Sequence, residues 1–181
     1  MNKSVKTAAG VMCATAMVMA MGNSVFAEEG KTLKVAMECG YAPYNWTQPT
    51  DENGAVQIAD STEYAYGYDV MMAKHICDEL GYNLEIVKMD WDSLVPAVVS
   101  GNVDCVIAGQ SITAERQEMV DFTDPYYYAS IITLTKSDSK YADAKGVADL
   151  AGATCTSQLN TIWYDNCLPQ IEDANILPAQ E

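Results

Sequence analysis

The sequence predicts an α/β fold built on a parallel sheet, and three observations carry that prediction. Strand-like and helix-like segments alternate from Lys31 to Ala108 in the order β-α-β-α-β. The run Val103-Asp-Cys-Val-Ile-Ala108 is short and apolar, as a parallel strand covered on both faces must be. Gly81 and Gly101 stand where the two intervening helices should stop.

Taken in order, Lys31 to Met37 alternates as a strand, and Glu38-Cys-Gly-Tyr-Ala-Pro-Tyr-Asn-Trp46 follows as an aromatic turn. Rings on a loop are costly to leave in water, so they pack on a neighbour or line a cleft. Tyr41 is read as a cleft residue, Tyr44 and Trp46 as packing residues. Thr47 to Tyr66, with Asp-Glu-Asn-Gly inside it, reads as a surface loop or hairpin without an active site. A helix follows to Leu80, with Asp69 as N-cap and Val70, Ala73, Ile76, Cys77 and Leu80 as its apolar stripe. His75 falls on its solvent side. The second strand is Tyr82 to Lys88, and Trp91 lies just past its end, either in a cleft or as a core ring under the next helix. That helix, Ser93 to Ser100, turns Leu94, Val95, Val98 and Val99 inward.

Past the third strand, Gly109 and Ser111 let backbone N–H groups approach a ligand, and Thr113 caps a helix carrying Arg116, the sequence's only arginine. Open α/β sheets bind ligands beyond the carboxyl ends of their strands. A planar guanidinium among amides suits a carboxylate held bidentately; the alternative is a surface pair with Glu115 or Glu118. Three strand ends thus carry an acid, Glu38, two rings, Tyr41 and Trp91, and an anion site, a set that suits a zwitterion.

Residues Met1 to Ala27 have the basic start, apolar run and small-residue cleavage site of a secretory signal peptide. Removing it takes Lys3 and Lys6 and no acids, so the formal charge falls from −15 to −17. A chain so acidic is a poor nucleic-acid partner, since phosphate binding needs a basic face. Cys39, Cys77, Cys105, Cys155 and Cys167 remain, an odd number; Cys77 and Cys105 read as buried hydrophobes, and Cys155 with Cys167 is a possible disulfide. One histidine and no Cys-x-x-Cys leave little material for a zinc site or a histidine-based triad.

The segments Gly67-Tyr-Asp-Val, Met89-Asp-Trp, Leu94-Val-Pro-Ala, Ala108-Gly-Gln-Ser-Ile-Thr-Ala-Glu-Arg and Val120-Asp-Phe-Thr-Asp-Pro-Tyr-Tyr, in this order, resemble the polar amino acid-binding proteins of ABC importers. The resemblance implies a periplasmic binding protein-like (type II) fold of two α/β lobes. Residues 28–130 would form the first lobe with the ligand site, and 131–181 a crossing strand and part of the second lobe. It implies Arg116 on the ligand α-carboxylate, Ser111 and Gly109 beside it, and Tyr41 and Trp91 around the side chain, with Glu38 where the family often has aspartate. Asp149 to Thr161 resembles the family's second-lobe turn; Asn160 replaces its glycine with a residue that tolerates left-handed backbone better than most, and Thr161 is either a ligand contact or a helix cap.

The chain stops at Glu181 where the family continues, so the expectation is a truncated gene or fragment with an incomplete second lobe, exposed apolar surface and a sheet edge. The implied role is extracytoplasmic capture of an amino acid for an ABC permease in the membrane, by a monomer, without an enzyme cofactor or metal. The alternatives are a cyclohexadienyl dehydratase-like enzyme with Glu38 as acid, or a receptor's sensing domain.

Overall fold

The computed structural model describes residues 30–180, so the signal-peptide expectation lies outside the described residues. Strand β1 (Thr32–Met37) is the centre of the first lobe. The antiparallel pieces β2 (Gly40–Tyr41), β3 (Asn45–Gln48), β4 (Val56–Gln57) and β5 (Tyr64–Tyr66) follow. Then come helix α1 (Tyr68–Leu80), β6 (Asn83–Lys88), α2 (Leu94–Val99), β7 (Cys105–Val106) and the single turn α3 (Ala114–Gln117). The main sheet runs β6-β1-β7, all parallel, with Val35 opposite both Ile86 and Cys105.

The two-residue period of β1 divides the core. Val35 and Met37 point to one face, against Val70 and Ala73 of α1, while Ala36 points to the other, against Leu94 and Ala97 of α2. All three β1 residues are fully buried, which is why this strand tolerates no polar residue in its second half.

Four expectations are corrected. Residues 47–66 do form a hairpin, β4 with β5, but it is not confined to the surface: it joins a four-stranded sheet, β2-β3-β5-β4, and buries Ile58 and Ala65 in the α1-side core. Asp69 is not the N-cap. The cap is Gly67, at φ 129°, two residues earlier, and Asp69 turns inward to accept a hydrogen bond from Asn45 Nδ2 at 2.7 Å. Leu80 closes α1 at 40% exposure, outside the stripe formed by Val70, Ala73 and Cys77. In α2 the inward set is Leu94, Ala97 and Val98, spaced i, i+3, i+4, which swings Val99 to 61% exposure and leaves Val95 half-buried. His75 is exposed, as read from the sequence.

From Tyr126 to Thr135 the chain runs without regular structure, with Ile132 83% and Leu134 93% exposed. The second lobe pairs β8 (Thr154–Gln158) with β9 (Asn175–Ala179) in parallel, over a small core of Leu150, Ala153 and Ile171. Val147 and Leu177 of this lobe are exposed, and its sheet has two strands among the described residues. All five cysteines among the described residues are free, Cys155 and Cys167 included.

Candidate functional site

The carboxyl ends of β1, β6 and β7 face the start of the second lobe across a narrow cleft. Glu38, Tyr41, Trp91, Gly109, Ser111 and Arg116 line it from the first lobe, and Gln158, Thr161, Ile162 and Trp163 from the second. All seven residues singled out in the sequence therefore meet at one place. The hollow between them is about 20 Å³, room for a single water, and a larger one of about 960 Å³, lined by Tyr44, Tyr126, Ser157 and Leu177 among others, adjoins it at Tyr41, Ser111 and Trp163.

Arg116 reaches the cleft because the Thr113 hydroxyl caps α3, accepting from the Arg116 backbone N–H at 3.2 Å. Its side chain points inward. Nη1 donates to the Ser111 carbonyl at 2.8 Å and Nη2 to the Asn160 carbonyl of the second lobe at 3.0 Å. Its guanidinium carbon stands 5.5 Å from the centre of the Trp91 ring. Burial lowers the guanidinium pKa, opposed by Glu115 and Asp165, but a group this basic keeps its charge at any ordinary pH. A partly desolvated guanidinium whose side-chain hydrogen bonds, among the described residues, go to neutral carbonyls gains by exchanging one of them for a carboxylate.

Trp91 lies in the cleft, with its indole N–H donating to the same Asn160 carbonyl at 3.0 Å. Tyr41 stacks on Tyr44 at 4.8 Å and faces Trp163 at 5.9 Å. Tyr44 and Trp46 are packing residues: Tyr44 also meets the edge of Tyr127, and Trp46 that of Tyr66. Glu38 accepts a hydrogen bond from Gln158 Nε2 across the cleft at 2.7 Å.

The Gly109 N–H donates to the Tyr126 hydroxyl at 3.0 Å, and that hydroxyl donates to Asp69 Oδ1 at 2.7 Å, so this amide is engaged within its own lobe. Asp69 is fully buried, and burial raises its pKa while hydrogen bonds from Tyr126 and Asn45 hold it down. A side chain at Gly109, at φ 61°, would press on Tyr41 at 3.3 Å.

Thr161 is buried, and its hydroxyl is committed within its own lobe. It donates to the Gln158 carbonyl at 2.6 Å and accepts from the Tyr164 N–H at 3.3 Å, which is a helix cap. Asn160 takes the left-handed backbone its replacement of glycine requires, at φ 58°. Gln158, Trp163 and the bonding role of Asn160 were missed in the sequence. Gln158 and Asn160 lay inside the quoted second-lobe motif, but nothing in a linear pattern says that they reach across to Glu38 and Arg116.

Two lobes, each with a parallel sheet and a shared cleft at the strand ends, define a protein of the type II periplasmic binding protein fold. The truncated, arginine-bound ArgBP of T. maritima matches 83% of this chain at TM-score 0.67 and 30% identity, over 64% of its own length. The ancestral amino acid-binding protein AncCDT-1, a precursor of cyclohexadienyl dehydratase, matches the same share at TM-score 0.66 and 30% identity, over 62% of its length. The chain belongs to the bacterial extracellular solute-binding proteins, family 3, whose pattern matches residues 33–174.

Among curated relatives, the octopine-binding periplasmic protein of Rhizobium meliloti is 31% identical over 91% of this chain and 49% of its own length. The arginine-binding extracellular protein ArtP of Bacillus subtilis is 32% identical over 83% of this chain and 53% of its own length. The chain spans about half the length of these relatives.

Proposed function

We propose that this protein is an extracytoplasmic solute-binding protein that captures an amino acid with a cationic side chain and delivers it to an ABC permease. The observation that carries the reading is an interlobe cleft with Arg116 on one wall, Glu38 on another and Tyr41, Trp91 and Trp163 around them. The α-carboxylate of the ligand replaces the Asn160 carbonyl on Arg116, forming the bidentate pair that a guanidinium favours. Glu38 releases Gln158 and takes the cationic end, whose apolar stem lies against the rings. The Ser111 turn and the Thr161 turn close on the carboxylate from either lobe, with residues 28–130 carrying most of the site and 131–181 the closing face. Ligand contacts to both lobes then bias closure, as a population shift requires.

The relatives that bind octopine and arginine support a cationic ligand over an acidic one. The test is thermal unfolding against L-arginine, L-histidine, L-glutamine and L-glutamate, because a ligand that binds only the folded state must raise the midpoint. A rise with L-arginine that is lost in Glu38→Gln is expected. A rise with L-glutamate alone would overturn the cationic assignment.

A second reading has one observation in its favour, the likeness to a precursor of cyclohexadienyl dehydratase. Glu38 would then serve as a general acid toward a leaving hydroxyl. Incubation with prephenate and mass analysis of the product separates the two, since turnover abolished in Glu38→Gln would establish the enzyme.

A further inference from the structure

Among the described residues, Asn160 and Gln158 carry hydrogen bonds across the cleft between the lobes, three of them through Asn160. The Asn160 carbonyl accepts from Arg116 Nη2 at 3.0 Å and from Trp91 Nε1 at 3.0 Å, and Asn160 Nδ2 donates to Asp92 Oδ1 at 2.8 Å. Gln158 donates to Glu38. The left-handed backbone of Asn160, at φ 58°, is what turns its carbonyl and its side chain toward the same opposing wall. Glycine would hold that backbone more easily but has no amide to reach Asp92.

We propose that Asn160 is a latch that closes the cleft without ligand, and that its carbonyl occupies Arg116 as a stand-in for the ligand carboxylate. This rests on the reading of Arg116 as the carboxylate site. The carbonyl offers the guanidinium one neutral acceptor where a carboxylate offers two charged ones, so the latch holds the empty cleft shut yet yields to ligand. The side-chain clasp on Asp92 keeps the latch in register while the carbonyl is exchanged. Part of the protein is thus closed before ligand arrives, and the open share limits how fast ligand enters.

The experiment is fluorine NMR of the ligand-free protein labelled with 5-fluorotryptophan, in which Trp91 reports the cleft and Trp46, packed on Tyr66, reports the integrity of the first lobe. Asn160→Gly removes only the clasp and preserves the backbone and carbonyl; Asp92→Ala removes the same bond from the other side. In each variant the solvent-exposed Trp91 signal should gain about three- to tenfold in population, the weight of one net hydrogen bond, with Trp46 unmoved. The double variant should gain no more than either single, as members of one pair must. An unchanged Trp91 signal in both single variants, or full additivity in the double, would overturn the latch. The readout uses no ligand, so a failure of the amino acid assignment would appear only in the thermal-shift panel and leave the latch result standing.

Discussion

Replacing Tyr126 by phenylalanine deletes one oxygen that serves two partners. The hydroxyl donates to Asp69 Oδ1 at 2.7 Å and accepts the Gly109 N–H at 3.0 Å, so it links the base of α1 to the turn at the edge of the cleft. A net hydrogen bond to a charged group is worth about 1.5–3 kcal/mol and a neutral one about 0.5–1.5, so the loss should be about 2–4 kcal/mol at pH 7. The pH dependence has a definite sign. Burial raises the folded pKa of Asp69 above its unfolded value, so the cost of burying the charge is absent in acid and present in full once pH exceeds the folded value. The Tyr126 hydroxyl favours the charged form; without it the folded value rises further. The deficit of the variant should therefore be greatest at pH 7 and shrink toward pH 4, as pH falls through the raised folded value of Asp69. Urea unfolding of both proteins at the two pH values measures it. A deficit below about 0.5 kcal/mol, or one equal at both, would refute the claim that Tyr126 stabilises a buried carboxylate.

Other substitutions test other links. Gly67→Ala should destabilise by more than about 3 kcal/mol, since a Cβ at φ 129° would collide with the Tyr44 carbonyl and the Trp46 ring; a chemical denaturation midpoint within error of the parent would contradict the α1 start described above. Gly109→Ala should cost about 1–2 kcal/mol for its left-handed backbone, displace Tyr41 and weaken amino acid binding, all visible in one calorimetric series. Burial pushes the Cys39 and Cys105 thiols up to about 11, so both should resist iodoacetamide at pH 8 in the folded protein and react after unfolding, as followed by mass spectrometry.

What could be read from the chain was what local chemistry decides. The apolar second half of β1, the glycine stop of α1 and the Thr113 cap follow from patterns within a few residues, and the structure has each of them. The left-handed Asn160 was legible because one residue type stood where another was expected. Asp69 was misread because a carboxylate before an apolar stripe looks like a cap; its partner Asn45 lies 24 residues away, and Tyr126 lies 57 away. Val95 and Val99 of α2 were misjudged because Leu94, Ala97 and Val98 fill the facing angle, and a small alanine is a weak signal in a run of valines. The cleft's first-lobe residues all follow strand ends, where a general rule places ligands, and so were within reach. Gln158 and Trp163 belong to the other lobe, and only the packing of the two lobes brings them to Glu38 and Tyr41.

The central claim is that Arg116 holds the carboxylate of a free amino acid. Isothermal titration calorimetry of L-arginine into the parent protein and into Arg116→Ala tests it most directly. One ligand per chain is expected for the parent, and affinity lower by at least about 100-fold in the variant, the loss of roughly 2.7 kcal/mol expected for a charge-assisted bidentate pair. Equal affinity in the two proteins would contradict it.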